Sequence, residues 1–115
     1  MIELRTQDGT DRITRVALVG MLDLIAVGQI ETPFMAATVA RGENTVVDLS
    51  GLSFIASLGM GILVSTYKGL KRKGAKIVLL NPQPDVESAL LVARLQTILP
   101  IVRSEEEVQR CLAAT

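Results

Sequence analysis

The chain has 115 residues, about the length of one ordinary domain, and 49% of them are apolar, enough for a core without staples. Its 12 basic and 12 acidic side chains cancel, which argues against a general nucleic-acid binder, and no Trp, one Tyr and two Phe make a base-stacking platform a poor fit. Without any histidine, His-assisted serine or cysteine catalysis has no base to use.

In chain order, MIELRT alternates and reads as a short strand. QDGTD, with Asp8-Gly9 inside it, is a turn signal. RITRVALVG then makes a second strand, so residues 2–20 predict a hairpin. Asp23 stands where a helix starts. Residues 24–41 are mostly apolar and predict a helix with a kink or break at Pro33 and Gly42 as its cap. TVVDLS, 45–50, is β-branched and apolar, as a buried strand should be, and the apolar pair Phe54-Ile55 precedes a serine, Ser57.

Residues 58–73 have helical spacing and end in Lys71-Arg72-Lys73 before Gly74. Ser57 is expected to be the N-cap of that helix. KIVLL, 76–80, is a further buried strand. NPQPD is a turn, and 86–95 is a helix with Asp85 as its expected N-cap. LPIV, 99–102, is a last short strand, and Ser104-Glu105-Glu106-Glu107 has the form of a capping box leading into a final helix. The order β-β-α-β-α-β-α-β-α predicts an α/β domain over 1–115, a small mixed sheet of four to five strands with helices packed against it.

Cys111 is the only cysteine, which fits a reducing compartment. The N-terminal stretch has no apolar h-region. The longest apolar run, ALLVARLQTILPIV, is broken by Arg94, Gln96 and Pro100, so no membrane span is expected. A cytoplasmic domain is the default.

Around a helical wheel of about 100° per residue, Gly59, Ile62, Leu63, Thr66 and Leu70 share one side, the expected core face. Met60, Val64, Tyr67, Lys68 and Lys71 share the other. Met60 and Val64 are thus apolar residues on a face that should meet water, beside Ser57, and read as part of a docking patch. Gly59-Met60-Gly61 lacks the third small residue of a dinucleotide fingerprint, since Val64 stands there, and no Gly-Lys-Ser/Thr exists for a phosphate loop. Two glycines within one turn, each costing about 1 kcal/mol in a helix, imply a close approach, by internal packing at Gly59 and by packing or a partner at Gly61. Ser57 has two readings from its residues alone, a helix cap or a modifiable group. Asp23 likewise is a cap or part of a partner's footprint. No cluster has metal-ligand spacing, no cofactor is expected, and a binding module is favoured over an enzyme.

The stretch VVDLSGLSFIASLGMGILV resembles the STAS domain, and within it the bacterial anti-sigma factor antagonists. Val46-Val47-Asp48-Leu49-Ser50 matches the family's strand ending in Asp-Leu-Ser. Ser57, Gly59 and Gly61 match its serine and two glycines, and Gly20-Met21-Leu22-Asp23 resembles its step from second strand to first helix. Ala56 stands where the family has Asp, and Leu58 where it has Ser or Thr. The resemblance implies a STAS fold and partner switching. In such antagonists the serine at the position of Ser57 is phosphorylated by an anti-sigma factor that is also a serine kinase. The unmodified form binds that partner, and a PP2C-like phosphatase would restore it. Implied partner-binding residues are Asp23, Leu24, Ala56, Ser57, Leu58, Met60, Gly61 and Val64. A non-switching STAS scaffold, or a ligand-binding or transport-accessory domain, is the alternative that Ala56 and Leu58 keep open.

Overall fold

The computed structural model describes residues 2–7 and 11–113. Strands β1 (Ile2–Gln7) and β2 (Thr14–Leu22) pair antiparallel, Ile2 opposite Gly20 and Gln7 opposite Arg15, as the hairpin reading expects. The Asp8-Gly9 turn lies outside the described residues. Helix α1 (Leu24–Ala37) follows, then a 3-10 turn over Val39–Arg41 that closes on Gly42 in the left-handed region, φ 67°. Pro33 does not end α1. The helix stops four residues later, where Thr38 takes a non-helical conformation and its buried hydroxyl donates to the Phe34 carbonyl (2.7 Å). The predicted 24–41 helix is therefore α1 plus a tighter turn.

The predicted strand 45–50 ends at Asp48, and a separate strand follows it. Strand β3 (Thr45–Asp48) runs parallel to the first half of β2, and β4 (Leu52–Ile55) runs parallel to its end. Thr14 faces Thr45 but Leu22 faces Ile55, so two extra residues are accommodated between β3 and β4. This break adds a sixth strand to the four or five expected. Helix α2 (Ser57–Arg72) crosses back to β5 (Ile77–Leu80). Helix α3 (Pro84–Val92), a 3-10 turn over Leu95–Thr97, β6 (Ile101–Val102) and α4 (Glu105–Ala113) complete the order. The sheet runs β1-β2-β3-β5-β6, antiparallel at β1 and parallel elsewhere.

The starts of α3 and α4 differ from expectation. Gln83, not Asp85, is the N-cap of α3, because Pro84 has its φ preset for the first helical position and draws the start forward. Asp85 sits in the first turn instead, where its charge suits the helix dipole. At α4, Ser104 Oγ accepts from the Glu107 amide (3.2 Å), while Glu107 reaches back to the amide of Arg103, one residue before the partner a capping box uses.

Successive strand residues point to opposite sheet faces, and the two faces are covered unequally. Val16, Leu18, Leu22, Val47, Leu52, Ile77 and Leu79 meet α1, α2 and α3 in the main core, with Phe34, Leu63, Leu70 and Leu90 fully buried. Each such side chain contributes about 1.5–3 kcal/mol by leaving water. On the reverse face Val46, Val78 and Val102 form a smaller cluster with Val108 of α4, edged by Ile13, Leu80, Cys111 and Leu112. Arg15, on that face of β2, fixes the start of α4 with a two-pronged bridge to Glu105 (2.8 Å to each oxygen).

Candidate functional site

Strands β2 and β4 end side by side, Met21 opposite Phe54 and Leu22 opposite Ile55. Each turns directly into a helix, so two N-termini emerge together at one end of the sheet. At the first, Asp23 is the N-cap of α1. Its carboxylate accepts from the Ala26 amide (2.9 Å), so the capping role read from the sequence is present.

At the second, Ser57 is not the cap. Ala56 still has extended dihedrals, φ −85° and ψ 165°, and its N–H donates to the Leu22 carbonyl (2.9 Å), prolonging the strand ladder by one residue. The Ala56 carbonyl then accepts the first helical bond, from the Met60 amide (3.1 Å). Ala56 is the N-cap, and it has no side chain with which to cap. Ser57 is therefore the first helical residue and is exposed. The amides of Ser57, Leu58 and Gly59 have no acceptor within the helix, because a helix start leaves them orphaned.

Around Ser57 the surface is apolar. Leu24 and Ile25 on α1, Leu58 on α2, and the cross-strand neighbours Met21 and Phe54 are all large side chains between 44% and 75% exposed. Of these the sequence reading names Leu24 and Leu58. Met21, Ile25 and Phe54 escape it. Period-two alternation puts Phe54 on the face of buried Leu52, but the register shift after Gly20 breaks the alternation, and Ser53 and Phe54 are both exposed.

The wheel for α2 matches the burial on its core side, where Gly59, Ile62, Leu63, Thr66 and Leu70 are buried. A Cβ on Gly59 would lie 2.8 Å from Leu22 and 3.1 Å from Ile55, so this glycine is required by packing. A Cβ on Gly61 would meet nothing within 4 Å, and Gly61 is exposed. Met60 and Val64, expected to face water, are half-buried, and Met60 packs against the main core. They form the rim of the surface around Ser57 rather than its crest. Among the described residues no group of three or more His, Cys, Asp or Glu could hold a metal, and no helix is long and apolar enough to cross a membrane.

The STAS domain family model matches residues 2–108. The chain belongs to the STAS domain family. The anti-sigma F factor antagonist of Lysinibacillus sphaericus is 29% identical over 96 residues, covering 83% of this chain and 82% of that protein. Among solved structures, an anti-sigma factor antagonist from Mycobacterium paratuberculosis superposes with a TM-score of 0.82 at 24% identity, over 99% of this chain and 96% of the other. The phosphorylated form of the Bacillus cell fate determinant SpoIIAA matches at 0.69 and 24%, over 95% and 99%. These structures agree with this chain in fold. The STAS domain described here thus has two adjoining helix starts, one capped by Asp23 and one uncapped at Ala56, under an exposed apolar collar.

Proposed function

We propose that this STAS domain is an anti-sigma factor antagonist that works by partner switching. The observation that carries this reading is the exposed hydroxyl of Ser57 at the start of α2, inside the apolar collar of Met21, Leu24, Ile25, Phe54 and Leu58. The unmodified collar docks on an anti-sigma factor and displaces the sigma factor held there. A serine kinase, the anti-sigma factor itself or a relative of it, then transfers the γ-phosphoryl group of ATP to Ser57 Oγ. The Oγ–P bond forms, the bond to ADP breaks, and the hydroxyl proton passes to the kinase. A phosphatase of the PP2C type would reverse the step by hydrolysis.

The physics of the site supports a switch. A phosphate adds roughly −1.5 to −2 charges at neutral pH. Within the domain those charges meet the orphan amides and positive end of α2, which stabilise them. At a dry contact with the partner the same charges would have to be desolvated, which is costly. One group can thus leave the fold intact and abolish the complex.

The test incubates the protein with its anti-sigma kinase and ATP and measures both phosphate incorporation and complex formation. Phosphate on Ser57, with loss of the complex, is the expected result. Stable binding of the partner by a Ser57→Asp protein as tight as by the unmodified one, with no phosphate incorporated at Ser57, would overturn the reading.

A further inference from the structure

Strand β1 is an edge, since among the described residues no strand pairs with its outer side. Which of its backbone groups are free follows from β2. The amides of Thr14 and Gly20 donate to Asn44 and Gly51, on the side of β2 away from β1. Neighbouring residues of a strand direct their N–H and C=O to alternate sides, so Arg15, Ala17 and Val19 are the residues of β2 that bond to β1. Their partners are Gln7, Arg5 and Glu3. Ile2, Leu4 and Thr6 therefore present their N–H and C=O groups outward, where no strand among the described residues pairs with them.

The side chains on this edge have a definite symmetry. Glu3 and Arg5 lie on the same face, one on each side of Leu4. They bridge each other at 2.6 Å and are both more than half exposed. The other arginine of this face, Arg15, is committed to Glu105 and Asp11. A second copy of the strand laid antiparallel, with the twofold axis at Leu4, would set Glu3 opposite Arg5 and Arg5 opposite Glu3. The same register makes Leu4 opposite Leu4 a hydrogen-bonded pair and Ile2 opposite Thr6 another, which are the residues whose backbone groups are free. Glu3 and Arg5 then fall at the non-hydrogen-bonded positions, where facing side chains come closest. Each charge would have an opposite neighbour both along its own strand and across the axis. Leu4 and Ile2, half-buried against the main core, would lose their remaining exposure.

We infer that β1 is a self-association edge, through which two copies of this chain join their sheets in a continuous antiparallel pairing centred on Leu4. Backbone pairing and charge pattern agree on one register, and neither depends on the function proposed for the Ser57 end. Six residues a side cover less than the about 1,200–2,000 Å² of a standard stable interface, so the association depends on concentration.

Sedimentation of the 115-residue protein over a range of concentrations tests this, with thermal melts to show that each variant is folded. The unmodified chain should pass from monomer to dimer. Glu3→Arg places two arginines face to face on both sides of the axis and should weaken the dimer about tenfold, as should Arg5→Glu with its facing glutamates. The double exchange, Glu3→Arg with Arg5→Glu, restores every opposite pair and should restore the dimer. Mixing the two single variants should give a heterodimer from two monomers, because each supplies what the other lacks. A chain that stays monomeric at all concentrations, a dimer indifferent to Glu3→Arg, or single variants that remain monomeric when mixed would each overturn the inference.

Discussion

Gly59 lies so close beneath Leu22 that a methyl group on it would fall 2.8 Å from both Cγ and Cδ2 of that leucine, which is itself fully buried. The backbone of the first turn of α2 thereby rests directly on the Leu22 side chain at the end of β2. Gly59→Ala gains about 1 kcal/mol of helix propensity but must push Leu22 aside, and overpacking of this kind costs about 1–3 kcal/mol. The variant is expected to melt at a lower temperature, by up to about 2 kcal/mol in stability.

Gly61, two residues on, should respond in the opposite way. Its missing Cβ would meet nothing, so Gly61→Ala should stabilise the fold by about 0.5–1 kcal/mol. On the proposed function it should also bind the anti-sigma partner less well, since the methyl group projects from the surface beside Ser57. Chemical denaturation and titration calorimetry on the same protein separate the two effects. Unchanged affinity would remove Gly61 from the contact.

The cap of α2 offers a third test. Because Ala56 holds the N-cap position without a capping side chain, Ala56→Asp should add a bond to an orphan amide and stabilise the domain by about 1 kcal/mol. Ser57→Ala removes no cap and should change stability by no more than about 0.5 kcal/mol, whereas it should abolish phosphate incorporation. Denaturant midpoints and a kinase assay measure these independently.

The apolar collar predicts a separation of folding from binding. Ile25→Glu and Leu58→Glu alter side chains that are 75% and 56% exposed, so their melts should match the parent within about 0.5 kcal/mol. Capture of the anti-sigma partner should be lost in both. If both variants bind normally, the collar is not the docking surface.

The tie between Arg15 and Glu105 predicts an acid response. The guanidinium of Arg15, by its hydrogen bond, holds the Glu105 carboxyl below its ordinary range, helped by Gln109. A carboxyl whose pKa is depressed on folding contributes its full stability above the unfolded value, about 4.3, and loses it as pH falls through the lower native value. Glu105 is largely exposed, so the pair contributes no more than about 1 kcal/mol. Glu105→Gln should therefore lower the melting temperature slightly at pH 7, and the difference from the parent should shrink as the pH is taken below about 4.3.

Much of this architecture was legible because it rests on local rules. The first hairpin, the core side of α2 and the stop at Gly74 follow from periodicity and glycine placement. What escaped depends on distant partners. The division of β3 from β4 arises from the register against β2, which no window around Ser50 contains, and with it went the exposure of Phe54. Ser57 was read as a cap because serine is a good one, yet the Leu22 carbonyl keeps Ala56 in the strand and moves the helix start by one residue. At α3 the reason is local: Pro84, with its preset φ, takes the first helical position and leaves Asp85 inside the first turn.

The small valine cluster beneath α4 has its own consequence. A single α4 side chain, Val108, is deeply buried, against three valines of the sheet. Detaching α4 therefore exposes far less apolar surface than opening the main core, and it leaves α1, α2 and α3 packed. In hydrogen exchange the amides of α4 should be released by this partial opening, well before those of β3 and β5 exchange by global unfolding. The rim carrying Ser57 contributes nothing to that cluster. An event at the rim and the loss of α4 would then be thermodynamically independent, with exchange rates in the last helix indifferent to whether Ser57 carries a phosphate.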